Sequence, residues 1–355
     1  MSEFYGKEEH RKAVRQEGGV LGLLERRISP RRFLRTNGAE ELLPNSFPGA
    51  AEIGGKEGNE TLAPSIPNGQ AAASGQTRRM SIPRLRKMKD QGEKISMLSA
   101  ADYPTARLLD DCGVDMLLVG DALGMVALGY DSTVYVTLEE MIHHTRAVAR
   151  GTDRALVIGD LPFGSYNEGP AQAVHSAIRL VKEGGCTAVK IEGGIEFAPT
   201  VQAISEAGIP VVGHVGLMPQ SAAKVGGFKV QARTAESASA LVESGRALQK
   251  AGAFMIVVEA VPAPVGALLS QSLTIPVIGV GAGTGCDGQV LVTEDLLGIQ
   301  QDLSPRFVKR YANLAVVMRR AVRCYVSEVK TGIFPAEEHA YPMDREEEAK
   351  LRNGL

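Results

Sequence analysis

The sequence predicts an α/β protein, a closed parallel (β/α)8 barrel of the TIM type, from about residue 81 onward. Short apolar runs alternate with longer stretches of helical periodicity, as parallel strands and crossover helices do. Eight such runs are present, the number that closes a barrel. An open doubly wound sheet is the alternative, but that fold gathers its ligands at one switch point, whereas polar residues end several of these runs. The runs occupy residues 94–102, 114–121, 154–160, 187–194, 209–216, 253–261, 275–283 and 289–298.

Helix signals are clear in two of the intervening segments. Residues 137–151 are amphipathic, and residues 169–185 begin near Pro170 and end at Gly184–Gly185. Proline in the first turn and glycine after the last turn are the usual boundaries of a helix. The eighth strand is the least regular, because its second half, residues 294–298, also fits the start of a helix.

The first 80 residues differ from the barrel in composition. Residues 18–38 contain five arginines and one acid, and residues 44–76 are rich in Gly, Pro, Ala, Ser and Asn, which is typical of a linker. The arginine-rich segment favours a transit peptide and a mitochondrial matrix location, and a plain disordered extension of a cytoplasmic protein is the alternative. We therefore expect a disordered extension (1–80), a barrel (81–343) and a charged C-terminal tail (344–355).

The overall composition excludes several classes of partner. The net charge is −2 and tryptophan is absent, so no nucleic-acid surface is expected. No apolar run approaches the roughly 20 residues that span a bilayer, so no membrane partner is expected. The four cysteines lie apart without zinc-type spacing, which favours a reducing compartment. Small-molecule ligands remain the expected partners.

Polar side chains lie at the ends of consecutive strands. Asp121, Asp160 and Glu192 end the second, third and fourth runs. Because the carboxyl ends of the strands form the active-site face of such a barrel, these carboxylates are expected to meet there. They would repel one another without a positive partner, and Mg²⁺ prefers oxygen ligands. The pattern predicts a magnesium site, although a single aspartate such as Asp121 also fits a helix N-cap.

Lys190 and Glu192 interrupt an otherwise apolar strand. Strand side chains alternate between faces, so both residues point into the barrel mouth if Val189 and Ile191 pack against the helices. A buried charge requires a partner. We therefore expect Lys190 to neutralise an acid or to hold an anionic substrate.

The next two strands and a glycine run allow more than one interpretation. His214, taken alone, fits a core histidine, whereas an unpaired buried glutamate such as Glu259 is rare and suits proton abstraction. The glycines in residues 279–283 resemble a phosphate loop, but glycines at a barrel rim also serve tight turns and close ligand approach.

Longer motifs carry a family resemblance. The chain contains, in order, GDALGM, GDLPFGSY, VKIEGG, GHVGLMPQ, GGFKVQAR, VVEAVP and IPVIGVGAG, with FPAEEH near the end. Together they closely resemble the ketopantoate hydroxymethyltransferases over residues 81–343. The resemblance implies a (β/α)8 barrel that transfers a hydroxymethyl group from 5,10-methylene-tetrahydrofolate to 3-methyl-2-oxobutanoate, through a Mg²⁺-stabilised enolate. The product would be 2-dehydropantoate, in pantothenate synthesis.

The resemblance also implies roles for individual residues. Its metal positions match Asp121, Asp160 and Glu192, and its general base matches Glu259. It implies a homo-oligomer, often a decamer. The positions that it implies for the 2-oxoacid site are Asp121, Ala122, Asp160, Lys190 and His214.

Two positions depart from the usual family pattern. Ala122 stands where the family usually has a serine that contacts the substrate carboxylate, and Ala101 stands where it has a tyrosine. A lost hydrogen bond to a charged group costs about 1.5–3 kcal/mol. Two alternatives therefore stay open: a Mg²⁺-dependent 2-oxoacid lyase or mutase of the phosphoenolpyruvate-mutase type, and a catalytically weakened barrel that binds a 2-oxoacid.

Overall fold

A computed structural model describes residues 79–301 and 305–354 of the chain. Within these residues, parallel strands close into a barrel in which each strand pairs with its sequence neighbours and the last pairs with the first. This closed order confirms the predicted barrel and excludes the doubly wound sheet. The strands are β1 (Ile95–Ser99), β2 (Met116–Val119), β3 (Leu156–Asp160), β4 (Ala188–Glu192), β5 (Val211–Gly216), β6 (Ala253–Glu259), β7 (Val277–Val280) and β8 (Gly288–Leu291).

Helices follow the strands along the chain. Among the described residues, no helix is both long enough and apolar enough to span a membrane. The predicted N-terminal extension covers residues 1–80, of which 1–78 lie outside the described part. The helices are α1 (Ile82–Asp90), α2 (Tyr103–Asp111), α3 (Leu123–Val126), α4 (Leu138–Arg150), α5 (Pro170–Arg179), α6 (Ala198–Glu206), α7 (Ala235–Lys250), α8 (Ala263–Ser272), α9 (Thr293–Leu296), α10 (Leu314–Thr331) and α11 (Arg345–Gly354).

The structure shows why the elements begin and end where they do. In α4, the Thr137 and Glu140 side chains each accept a hydrogen bond from the other's backbone N–H, which forms a capping box. Helix α5 continues into a wider turn and ends at Gly185, whose φ of 81° is the left-handed conformation that favours glycine. Strand β8 ends at Leu291, and the doubtful half of the predicted eighth strand lies in and just after α9.

The strands bury two faces, and β4 shows the division. Val189 and Ile191 belong to the apolar layer between the strands and the helices. Ala188 belongs to the cluster that fills the barrel interior. Because side chains alternate along a strand, Lys190 and Glu192 share the interior face with Ala188. The predicted orientation of the two charged residues is therefore confirmed.

The glycine run after β7 serves close packing. Gly281 has a φ of +64°, and a Cβ on it would lie 2.7 Å from the ring of Phe307. A Cβ on Gly279 would lie 2.9 Å from the Cys286 sulfur. These contacts account for the glycines as a tight, crowded turn.

Candidate active site

The predicted site residues meet at the carboxyl ends of the strands. Asp160, Glu192 and Glu259 are the last residues of β3, β4 and β6, and His214 lies near the end of β5. Asp121 follows β2 in the turn that leads to α3. Except for Glu259, whose side chain is 16% exposed, these residues are buried. The structure therefore brings together the acids, the lysine and the histidine that the sequence singled out.

Lys190 lies among the carboxylates. Its Nζ is 2.9 Å from Asp160 Oδ2 and 3.6 Å from Glu192 Oε1. It is also 3.2 Å from Nδ1 of His214. Burial alone lowers the pKa of a lysine, but here Asp160 and Glu192 outweigh it and hold the pKa of Lys190 above its ordinary value. The side chain therefore stays positively charged inside the barrel.

His214 connects two glutamates. Its Nδ1 lies 3.3 Å from Glu192 Oε1, and its Nε2 lies 3.4 Å from Glu259 Oε2. Burial and Lys190 lower the pKa of His214, yet its interactions with Glu192 and Glu259 more than compensate and raise it to about 9. At neutral pH the imidazolium is the predominant form. Glu259 is therefore not the unpaired glutamate that the sequence suggested.

Asp160 has a carboxylate oxygen that the protein does not satisfy, and Asp121 lies beside it. The Asp121 N–H donates to Asp160 Oδ2 at 3.3 Å, whereas the buried Asp160 Oδ1 has no hydrogen-bond partner. Burial, together with repulsion from neighbouring carboxylates, raises the pKa of both aspartates. Burial and the neighbouring carboxylates therefore disfavour the anionic forms more than the nearby Lys190 favours them. Two oxygen donors of this kind fit Mg²⁺, which is often bound by one or two carboxylates and several waters.

Glu192 has other partners. Its Oε2 accepts a hydrogen bond of 3.1 Å from the backbone N–H of Gln220, and its Oε1 faces Lys190 and His214. These interactions lower the pKa of Glu192 despite its burial. Within residues 79–301 and 305–354, no group of three His, Cys, Asp or Glu side chains is spaced to hold a metal ion. Glu192 Oε1 is, like Asp160 Oδ1, buried without a hydrogen-bond partner, although it lies within 3.6 Å of Lys190 and His214. The three-carboxylate metal set stays a prediction.

Sequence reasoning missed two residues of this site. Gln220 and Tyr166 are both buried, and the Tyr166 hydroxyl donates to the side-chain oxygen of Gln220. Gln220 in turn donates to Asp121. Both residues lie inside motifs that carried the family resemblance, GDLPFGSY and GHVGLMPQ. Nothing in their own spacing indicated a role.

The two unusual alanines lie next to this cluster. Ala122 directly follows Asp121 at the start of α3 and is partly exposed. Ala101 is buried just after β1, and its carbonyl lies 2.6 Å from Nδ1 of His144. Neither side chain carries a polar atom, so neither contributes to the ion-pair network.

Comparison with known proteins identifies the family of this chain. A family model described as ketopantoate hydroxymethyltransferase matches residues 79–337. The 3-methyl-2-oxobutanoate hydroxymethyltransferase of Heliobacterium modesticaldum is 52% identical over 269 residues, which cover 76% of this chain and 98% of that protein. The protein of the same name from Oleidesulfovibrio alaskensis is 53% identical over 280 residues, which cover 79% and 96%.

A solved structure supports the fold independently. Phosphoenolpyruvate phosphomutase from Streptomyces platensis subsp. rosaceus superposes with a TM-score of 0.50 at 17% identity, over 77% of this chain and 98% of that one. At this identity the likeness concerns the barrel alone. The family match and the high identity to named transferases are more specific. The chain is therefore an enzyme of the pantothenate pathway and belongs to the ketopantoate hydroxymethyltransferase family.

Proposed function

We propose that this enzyme transfers a hydroxymethyl group from 5,10-methylene-tetrahydrofolate to 3-methyl-2-oxobutanoate, giving 2-dehydropantoate, with Mg²⁺ held by Asp121 and Asp160. The charge of the cluster carries the proposal. With every group ionised, its four carboxylates face two cations, Lys190 and His214, which leaves a formal charge of −2 in a buried space. A divalent cation neutralises that excess, and the unsatisfied Asp160 Oδ1 offers it a ligand.

The chain's own residues divide the remaining chemistry. When bound, Mg²⁺ supplies a Lewis acid for the keto acid's oxygens. Lys190 and His214 provide buried positive charge that attracts the substrate carboxylate. Glu259, partly open to the barrel mouth, takes the C3 proton onto a carboxylate oxygen. The carbanion left on the substrate forms a C–C bond to the one-carbon unit, whose two bonds to folate nitrogens break. Water supplies the hydroxyl of the product. Its remaining proton and the proton held by Glu259 go to those nitrogens, which releases tetrahydrofolate.

Two measurements test this function. Formation of 2-dehydropantoate is measured with and without Mg²⁺ and methylene-tetrahydrofolate, and we expect both to be required. Turnover of a 2-oxoacid without folate would instead support a lyase or mutase. In a second experiment, Glu259→Gln is expected to abolish solvent exchange of the substrate's C3 proton while Mg²⁺ still binds. Undiminished exchange would remove Glu259 as the base.

Ala122 gives a separate test of catalytic strength. A hydroxyl restored by Ala122→Ser is expected to lower the KM for 3-methyl-2-oxobutanoate about tenfold or more, since a hydrogen bond to a charged group contributes about 1.5–3 kcal/mol. An unchanged KM would show that the substrate carboxylate lies elsewhere. If Ala122→Ser binds the 2-oxoacid as the wild type does but shows no turnover, the result would support the binding-only barrel.

We also propose that the enzyme assembles with further copies of itself through α10. In this helix only Ala315 is buried. Val322, Tyr325 and Val329 recur at helical spacing and are 46–60% exposed. An exposed apolar stripe of this length supports an interface with another protein surface. Analytical ultracentrifugation is expected to show an oligomer that V322E dissociates; an unchanged mass would contradict the proposal. The decamer stays a prediction.

For location we propose the mitochondrial matrix. The support is the arginine-rich composition of residues 18–38 followed by the linker-like residues 44–76. Residues 1–80 fused to a fluorescent protein are expected to carry it into mitochondria. Replacing the five arginines of 18–38 with glutamine is the matched control and is expected to leave the fusion in the cytosol. A cytosolic signal from the unchanged fusion would favour the alternative.

A further inference from the structure

Gln220 forms hydrogen bonds to several groups of the site. Its side-chain Nε2 donates to Asp121 Oδ2 at 2.8 Å and to the Leu161 carbonyl at 3.0 Å. Its backbone N–H donates to Glu192 Oε2 at 3.1 Å. Its relative exposure is 4%, so the residue is 96% buried. One glutamine thus connects the ends of β2, β3 and β4, from which the site's first three acids come.

The orientation of this amide is fixed by its partners. The Asp121 carboxylate and the Leu161 carbonyl can only accept, so the two hydrogens of the NH₂ group must point at them. The opposite side of the amide faces the hydroxyl of Tyr166, which donates to Oε1. A flipped amide would place its oxygen against two acceptors. The two acceptors therefore determine which end of Gln220 reaches Asp121, and Tyr166 supports that orientation by donating to Oε1.

Tyr166 is itself held in place. Its hydroxyl lies 3.2 Å from the Glu192 carbonyl, and its ring packs edge-on against Phe197 with ring centres 5.5 Å apart. Gly193 leaves the room for this pair, because a Cβ there would overlap the Phe197 ring. The turn after β4 therefore holds the Tyr166 hydroxyl in place beside Gln220.

Asp121 needs such support more than the other acids do. Asp160 and Glu192 are strand residues, fixed by the barrel ladder, whereas Asp121 lies beyond the end of β2. The hydrogen bond from Gln220 occupies Asp121 Oδ2 and leaves Oδ1 for another ligand. The backbone N–H of the same residue donates to Glu192 Oε2, whose other oxygen faces Lys190 and His214.

We propose that Gln220, supported by Tyr166, is a positioning residue whose side chain holds Asp121 in its metal-binding orientation. This inference rests on the proposed function, since it assigns Asp121 to Mg²⁺. Partners that orient metal ligands typically change metal affinity or activity by 10–100-fold when they are substituted. The Gln220 side chain thus acts through Asp121 and has no direct part in the reaction.

The test measures Mg²⁺ binding by calorimetry on the full-length protein, with saturating 3-methyl-2-oxobutanoate. Q220E keeps the shape and the acceptor for Tyr166 but cannot donate to Asp121, and Q220M removes both. Y166F removes one hydroxyl and keeps the ring. Q249M is the matched control, since Gln249 uses its side-chain oxygen to accept from the backbone N–H of Thr274 at 2.8 Å, away from the site.

We expect both Gln220 variants to weaken Mg²⁺ binding by about 10–100-fold. Y166F should give a smaller loss in the same direction. Activity of Q220E should recover as Mg²⁺ is raised, which a merely structural defect would not allow. Q249M should lower the melting temperature and leave the Mg²⁺ affinity within about twofold of wild type.

Two results would overturn the proposal in distinguishable ways. If the wild type binds Mg²⁺ and both Gln220 variants bind it equally well, only the positioning role is wrong. If the wild type itself fails to bind Mg²⁺, the proposed metal site is wrong, and the positioning role is lost with it. Should Q220M fail to fold, the isosteric Q220E and the single-hydroxyl change Y166F still decide the matter.

Discussion

Replacing Lys190 with methionine removes the buried cation and keeps most of the side-chain volume. Asp160 then loses an ion-pair partner at 2.9 Å and Glu192 one at 3.6 Å, in a space that water barely reaches. Removing one partner of a buried ion pair typically destabilises a protein by about 3–5 kcal/mol, because an uncompensated charge remains. We expect K190M to lose free energy of unfolding in this range. That corresponds to about two to four powers of ten in the folding equilibrium.

Urea unfolding followed by circular dichroism, with EDTA present to exclude metal, measures this loss. A second substitution, Asp160→Asn, removes one of the carboxylates that K190M leaves unpaired. The double variant K190M/D160N is therefore expected to be more stable than K190M alone. Lys89→Met is the control: this lysine pairs with Asp287 at 2.6 Å, but both side chains are 13–16% exposed, so its loss should cost less.

The reasoning would be refuted by either of two outcomes. If K190M costs less than about 1 kcal/mol, the burial of the charge does not have the effect argued here. If the D160N change adds its own full penalty to that of K190M, the two side chains do not compensate each other. Both outcomes would also weaken the case for a cluster with excess negative charge.

Two further predictions concern ionisation. Because the pKa of His214 rises from 6.5 to about 9 on folding, its stabilising contribution is complete below about pH 6.5 and is lost as the pH rises through 9. Urea unfolding in EDTA should show a loss of about 3 kcal/mol over this range, which H214Q should largely lack. Burial raises the pKa of Cys186 to about 12 and of Cys286 to about 11, so native protein at pH 8 should react with a disulfide reagent only at Cys112 and Cys324. Reaction of a third thiol in folded protein would contradict this.

The sequence was sufficient to predict the barrel and the faces of its strands. Alternation along β4 placed Lys190 and Glu192 on the interior face, and the structure confirms this because Ala188 of the same face lies in the interior cluster. Strand ends marked the acids because all parallel strands finish at one face. These inferences needed only local periodicity and one topological rule.

The partners of the acids were beyond the reach of that reasoning. Gln220 meets Asp121 across 99 residues and Tyr166 across 54, and both contacts depend on how two loops fold over the rim. The pairing of Glu259 with His214 likewise depends on side-chain rotamers on neighbouring strands. A pattern of residue types does not encode such distances. The sequence therefore suggested that Glu259 is unpaired, whereas the structure pairs it with His214.

The shared contacts of Lys190 restrict where the substrate range of this enzyme can change. Lys190 neutralises two acids and contacts His214. Its substitution is therefore expected to destabilise the barrel. Selection for a different keto acid must therefore act on neighbours outside this ion-pair network. Ala122 and Ala101, where this chain already differs from the usual family pattern, are residues of that kind. Substrate range and stability therefore depend on different residues of the same rim.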